Sequence, residues 1–447
     1  MPPLAPTDRI AIVGAGAFGL STALHLVLAG HPSALITVLD RSLPPVTDGS
    51  SVDISRIIRA DYADPVYATL GAEALAAWQA PGSVFAPAFH AAPFCLVVQE
   101  TAHGRTVADP AYLAEIKHNL RRLGLPYREL ASAEDVRRAW PEGLGAGRLA
   151  GRGFQAYVSE DAGWADAAMG VTLARDECVR RGVSFIGGEA GTVRRLLYRA
   201  DGTVMAAETA SGLVVEADVF VVAAGAWTAG LVSLGQATIS TGQIVAFLKL
   251  RGKEEEQRFS KLPIYINLST GWFVFPTHPD TKLLKIACHG FGYTNTMLVV
   301  DADGPRDIST PPVQKMPTRL QGIPEEGISR LRAGLVDALG VEFADRPLER
   351  TAVCWYTETP TGDFIIDRHP RHSNLVVATG GSGHGYKMIP IIGKYIVQAM
   401  QGTLSEQLRS RWRLDTKRMA GDALFSGDGS RGGPPRREFT PLEKAKL

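Results

Sequence analysis

Two stretches in the last third of the chain hold residue types suited to chemistry. Cys354-Trp355-Tyr356-Thr357-Glu358-Thr359-Pro360 sets a thiol among semi-apolar neighbours. Ala378-Thr379-Gly380-Gly381-Ser382-Gly383-His384-Gly385-Tyr386-Lys387 is a glycine-rich turn ending in a lysine. A lone cysteine between apolar residues is most often an inert core residue, yet its thiolate is a strong nucleophile. A lysine closing a glycine turn can meet an anion as a point charge. A third stretch, Ser50-Ser51-Val52-Asp53-Ile54-Ser55-Arg56-Ile57-Ile58-Arg59, spaces two arginines three apart. On one helical face they would present two guanidinium forks to one pocket; taken alone, the pair reads as a solvated basic face.

The elements that must position these residues begin at the N-terminus. Arg9-Ile10-Ala11-Ile12-Val13 is a short β-type run entering Gly14-Ala15-Gly16-Ala17-Phe18-Gly19, followed by a helical stretch to about Gly30 and a second strand, Ile36 to Leu39, that stops at Asp40. Strand, glycine turn, helix, strand and acid make a dinucleotide-binding βαβ unit. Gly14 permits the tight turn, Gly16 lets backbone approach a pyrophosphate, and Gly19 lets the helix pack on the strand. The pyrophosphate would lie at the helix N-terminus, where free N–H groups favour an anion. An acid at position 40 suits ribose hydroxyls and argues against a 2′-phosphate, hence against NADP. The motif does not separate NAD from FAD. A later apolar strand from Asp218, ending in Ala223-Ala224-Gly225-Ala226-Trp227, moves the balance to FAD, because two-part FAD domains use a second nucleotide-facing turn. A buried strand with a packing turn is the plainer alternative.

Between these markers, Trp164 to Arg181 reads as a helix and Val183 to Ile186 as a strand. Hairpin-like strands turn at Asp201-Gly202 and Ser211-Gly212. From Gly242 to Ala287 the pattern becomes β-rich with aromatics, with Phe85 to Gln99 adding strands, and Pro324 to Leu339 reads as a helix. The expected fold is α/β plus β: a two-part Rossmann-like FAD-binding domain (1–80, 150–235, 350–402) interleaved with a mainly antiparallel-sheet substrate domain (81–149, 236–349). A C-terminal extension with a flexible tail fills 403–447.

Bulk properties exclude several classes. A formal charge of +1 leaves no nucleic-acid footprint, and no charge-free run of about 18 apolar residues predicts a membrane span. Four scattered cysteines make neither a disulfide scaffold nor a C-x-x-C metal or redox pair. The start lacks a basic segment with an apolar run, so no secretory signal and a reducing intracellular setting are expected. Ala445-Lys446-Leu447 is a close variant of the Ser-Lys-Leu peroxisomal address, placed after a polar run, Ser426 to Arg437, expected to be flexible and open to an import receptor. Peroxisomal or cytoplasmic residence is expected.

As a set, the fingerprint, Ser55 to Arg59, Cys354 to Pro360, Asp363-Phe364-Ile365-Ile366-Asp367, His369-Pro370 and Gly380 to Lys387 resemble the monomeric sarcosine oxidase family of FAD-dependent amine oxidases, which includes fructosyl amino acid oxidases (amadoriases), saccharopine oxidases and pipecolate oxidases. The resemblance spans most of the chain, in the family's order and approximate spacing. It implies FAD joined through its 8α carbon to the sulfur of Cys354, with Arg56 near the flavin edge. It also implies Arg59 and Lys387 gripping a substrate carboxylate, and Lys285 above the flavin promoting the reaction of dioxygen. The cofactor site it implies comprises Gly14, Gly16, Ala17, Phe18, Gly19, Asp40, Arg41, Ser50, Ser55, Arg56, Val193, Ala224, Gly225, Trp227, Cys354, Gly381, Gly383, His384, Gly385 and Lys387. His384 and His289 are candidate pocket residues or satisfied structural histidines.

One departure bears on substrate. Fructosyl amino acid oxidases typically continue from the oxygen-side lysine into an Asp-Glu-His-Gly-Gly type run whose acid helps bind the sugar. Here the run is Ala287-Cys288-His289-Gly290-Phe291-Gly292-Tyr293, without an acid. The expected activity is oxidation of a secondary amine or N-substituted amino acid to an imine, with hydrolysis and hydrogen peroxide release, by a monomer. The alternatives are a biosynthetic oxidase whose imine is trapped to close a ring, and an inactive flavin-binding protein.

Overall fold

Ile10–Val13 is buried at every residue, as a strand covered on both faces must be. In the computed structural model, which describes residues 4–99, 110–141, 154–301, 304–312, 323–416 and 430–447, it sits inside a six-stranded sheet. Ile36–Leu39 and Val219–Val222 flank it in parallel; beyond them lie Ser184–Ile186 on one side, and Leu375–Thr379 and Ile365–Arg368 on the other. Alternation divides its side chains. Ile10 and Ile12 join Leu20, Leu24 and Ile396 of the helical layer, whereas Ala11 and Val13 join Phe220, Leu196 and Val204 under a three-stranded antiparallel sheet. The helices Ala17–Leu28 and Ile392–Gln401 cross closely because Gly393 has no side chain: a Cβ there would lie 1.9 Å from the Ser21 carbonyl oxygen.

A ten-stranded, mainly antiparallel sheet carries the other half of the molecule. Its longest strand, Ile239–Lys249, pairs with Leu283–Cys288 and with Arg350–Glu358. Ile244, Ala246 and Leu248 face the helix Glu325–Leu339, packing with Leu331 and Leu335, and the alternate residues Val245 and Phe247 face the opposite way. The register therefore sends Lys285, opposite Phe247, and Cys354, opposite Gln243, to that second face.

Several elements differ from the sequence reading. Arg56–Ile58 is a strand paired with Gly163–Ala165, so Arg56 and Arg59 share no helical face. β-branched Ile57 and Ile58 favour that conformation over a helix. Gly163–Ala165 takes the start of the expected helix, which begins only at Ala167, where the Asp166 side chain caps it by accepting from Met169 N at 2.9 Å. Gln155–Ser159 and Arg350–Glu358, assigned from sequence to the dinucleotide unit, pair into the large sheet instead. The expected flexible run Ser426 to Arg437 is buried at Ser430, Arg431 and Gly432 and exposed again at Pro434 and Pro435, its part before Ser430 lying outside the described residues. Arg437–Glu438 pairs with Tyr293–Thr294, and Leu447 is 8% exposed inside the sheet core.

Candidate active site

Where the two sheets meet, a cavity of about 670 Å³ runs from the Gly14–Ala17 turn past Cys354 to Lys387. At one end, Gly14 adopts φ +106°, and a Cβ there would lie 2.5 Å from the Ala223 carbonyl oxygen. A side chain would break both the turn and its packing. Gly19 serves that packing too: its Cβ would meet the Gly14 oxygen at 1.8 Å. Asp40 accepts from Ala15 N at 2.6 Å and from Arg41 N at 2.7 Å; burial pushes its carboxyl pKa up against these bonds. Arg41 is bound to Asp48 at 2.6 Å and lies over the Trp227 ring at 4.2 Å.

Midway, a buried charge cluster surrounds Asp53. Its Oδ2 accepts from Lys285 Nζ at 2.6 Å and from Arg56 Nη1. Lys285, 2% exposed, also donates to the Ser55 carbonyl oxygen at 2.6 Å and lies 4.8 Å from the Phe275 ring centre. Burial pushes its amine down to about 8, against the opposing pull of Asp53. Burial alone would raise the Asp53 carboxyl, but Lys285 and Arg56 outweigh it and hold it at about 2. Arg56 Nη2 donates to the Ser50 carbonyl oxygen at 2.8 Å and to Cys354 Sγ at 3.4 Å.

At the far end, Lys387, 5% exposed, donates from Nζ to Tyr62 Oη at 2.8 Å and to the His384 carbonyl oxygen at 3.2 Å. His384 Nε2 lies 2.8 Å from the Gly362 carbonyl oxygen, which only accepts, so a neutral ring uses Nδ1 to accept from Tyr62 Oη at 3.2 Å. Arg59 lies 4.9 Å over the Tyr62 ring, and its Nη1 is buried without a hydrogen-bond partner among the described residues. The wall nearest Tyr356 comes from the C-terminal segment. Arg431 donates to Glu358 Oε2 at 2.6 Å, to the Ser382 carbonyl oxygen at 2.8 Å and to the His289 ring, and Ser430 lines the cavity.

A βαβ turn, a second glycine turn and a shared elongated cavity call for a dinucleotide, and residues 9–399 match the profile of the FAD dependent oxidoreductase family. The chain belongs to this family. Among known FAD dependent oxidoreductases and related oxidases it is similar to L-saccharopine oxidase of Schizosaccharomyces pombe, at 30% identity over 91% of this chain and 94% of that protein. Monomeric sarcosine oxidase of Bacillus sp. (strain B-0618) is 26% identical over 87% of this chain and 91% of that protein. Among solved structures, a thermally stable fructosyl peptide oxidase mutant superposes with TM-score 0.84 at 28% identity, covering 97% and 98% of the two chains. Amadoriase I from Aspergillus fumigatus superposes with TM-score 0.81 at 31% identity, covering 97% and 95%.

Within this FAD dependent oxidoreductase, nearly all the residues singled out from sequence line the one cavity: Gly14, Gly16, Ala17, Phe18, Asp40, Arg41, Ser50, Arg56, Arg59, Val193, Ala224, Gly225, Trp227, Lys285, Cys354, Gly381, Gly383, His384, Gly385 and Lys387. Gly19 and Ser55 stand just behind it, the first in helix packing and the second as the acceptor for Lys285. His289 lines the cavity as well. The side-chain-free Gly14 and Gly16 turn, the length of the cavity and the unsatisfied Arg59 Nη1 fit a flavin dinucleotide with an anionic partner beside it. Asp53, Tyr62, Tyr356 and Arg431 escaped the sequence reading. An acid between the serines and Arg56 was the available signal for Asp53; nothing local marks Arg431.

Proposed function

We propose that the chain is an FAD-dependent oxidase of a secondary amine or N-substituted amino acid, acting as a monomer. The observation that carries this reading is the pair of cations at the far end of the cavity: Arg59, with a buried and unsatisfied Nη1, and Lys387. Burying such a donor costs free energy that a substrate carboxylate recovers. Arg59 can offer a planar fork and Lys387 a point charge, which together orient the carboxylate and hold the reacting C–H in a near-attack pose.

Bound FAD would supply a two-electron sink, so that the amine C–N bond becomes an imine and dioxygen ends as hydrogen peroxide. Val245, Ile266, Phe273 and Phe275 wall the space and exclude water. The substrate amine must enter as the neutral base, and water then hydrolyses the released imine. The Lys285 ammonium offers positive charge where dioxygen takes up electrons. Cys354 on the cavity face supports a thioether to the 8α carbon. Its formation would release the thiol hydrogen and one methyl hydrogen, with dioxygen as the two-electron acceptor, giving hydrogen peroxide. Peroxisomal delivery is supported by Ala445-Lys446-Leu447 and requires the packed Leu447 to detach before a receptor reads it.

Among the described residues, the acid nearest the His289 wall, Glu358, is committed to Arg431 and is not offered to a sugar. Peroxide release measured across sarcosine, pipecolate, saccharopine and fructosyl amino acids tests the reading. One of the first three is expected to be the best substrate. A fructosyl amino acid far ahead of the rest would overturn the inference from the missing acid.

A further inference from the structure

We propose that Asp53 is a positioning residue that ties the oxygen side of the site to its flavin-attachment side, one carboxylate holding Lys285 charged and Arg56 aimed at Cys354. The inference rests on the oxidase reading and deepens it.

Asp53 is almost fully enclosed, and both of its oxygens are used. Oδ1 accepts from Ile54 N at 2.7 Å, while Oδ2 takes both cations, Lys285 and Arg56. The two cations come from different parts of the fold, Lys285 from Leu283–Cys288 of the large sheet and Arg56 from the strand paired with Gly163–Ala165. Without an anion between them, two buried positive charges would repel each other at close range. Arg56 keeps its charge under all ordinary conditions, so Lys285 is the one that would give way. The groups facing Lys285 are Asp53 and Arg56 from the 50–58 segment, Cys354 from Arg350–Glu358, and the Phe275 ring. Asp53 is the one carboxylate among them.

The same carboxylate fixes Arg56 Nη1, which leaves Nη2 to reach Ser50 and the Cys354 sulfur. Loss of Asp53 should therefore disturb two events with different readouts. One is the transfer of two electrons and two protons to dioxygen, where Lys285 supplies charge and no electrons. The other is formation of the Cys354 thioether, with dioxygen as the oxidant.

The test compares wild type, Asp53→Asn and Asp53→Glu, purified with FAD. Each protein is reduced anaerobically with dithionite, which makes the measurement independent of the substrate assignment, and mixed with dioxygen from pH 6 to pH 10. Wild-type reoxidation should slow as pH rises through about 8. In Asp53→Asn the midpoint should fall by one pH unit or more, with roughly tenfold slower reoxidation above it. The fraction of flavin retained after denaturation should drop, and Asp53→Glu should restore both in part. Anaerobic reduction by the best amine should change far less than reoxidation.

If Asp53→Asn fails to fold, a Lys285→Met protein whose reoxidation keeps the wild-type rate and pH profile overturns the proposal, because Asp53 then holds no charge that dioxygen uses. So does an Asp53→Asn protein with the wild-type profile and full flavin retention, or one in which reduction and reoxidation fall together. A wild type that reoxidises no faster than free reduced flavin sinks the oxidase reading itself, a different result from two equally fast proteins.

Discussion

Lys387 donates a 2.8 Å hydrogen bond to the Tyr62 hydroxyl, joining residues from opposite ends of the chain inside the cavity wall. With His384 accepting from the same hydroxyl, Tyr62 can give its proton only toward the imidazole and presents its lone pair to the ammonium. The lysine is thereby aimed rather than merely present. Replacing Tyr62 by Phe should cost about 1 kcal/mol of that positioning, seen as a roughly fivefold rise in KM with kcat little changed. Lys387→Met should lose the charge-assisted bond itself, about 10- to 150-fold in kcat/KM. Steady-state kinetics on one carboxylate substrate checks both. Equal losses in the two variants would contradict the hierarchy.

Arg431 and Glu358 form a buried pair at 2.6 Å between the C-terminal segment and the strand that carries Cys354. Arg431→Ala leaves the Glu358 carboxylate enclosed without its cation, and should destabilise the fold by about 3–5 kcal/mol. Denaturant unfolding of the FAD-loaded protein measures this. A loss below about 1 kcal/mol would mean that the segment is only laid on the surface.

Much of this site was legible because its parts are local. The Gly14 to Gly19 turn and the Gly380 to Lys387 turn each announce themselves in a few residues, and Lys285 and Cys354, implied by the resemblance, line the cavity. What escaped depends on pairing across the fold. Arg56 and Arg59 are spaced three apart, which suits a helix, yet partners in Gly163–Ala165 draw Arg56 into a strand. Ser430 and Arg431 sit in a glycine-, proline- and arginine-rich run whose composition reads as solvated, and their partners Glu358, Ser382 and His289 all lie far away in sequence. Asp53 is one acid in the Ser50 to Arg59 stretch, and its role depends on Lys285 from a distant strand.

Acid stability should report Asp53. Its folded pKa of about 2 lies below the ordinary 3.8, so the unfolded chain takes up this proton first as pH falls. The stabilisation is complete above about pH 4 and is lost as pH falls through about 2. Lys285 is a base held at about 8 against 10.5, so between these values the unfolded chain keeps the extra proton and stability from this group rises with pH. Urea midpoints taken from pH 5 to pH 2 should fall more steeply for wild type than for Asp53→Asn. Parallel curves would remove Asp53 from the account.

Cys354→Ser keeps the strand and removes the sulfur. The wild-type chain should retain flavin fluorescence through denaturing electrophoresis, and the variant should release all of it. Wild-type flavin that washes away would show that the cavity holds FAD without a bond at Cys354.

The most direct measurement is anaerobic mixing of the FAD-loaded protein with a secondary amino acid and, separately, with the same amine lacking its carboxylate. The amino acid should bleach the flavin, and admission of air should restore it with one hydrogen peroxide per flavin, while the decarboxylated amine leaves the flavin oxidised on the same timescale. A flavin bleached equally well by both compounds, or by no secondary amino acid at all, would contradict the account.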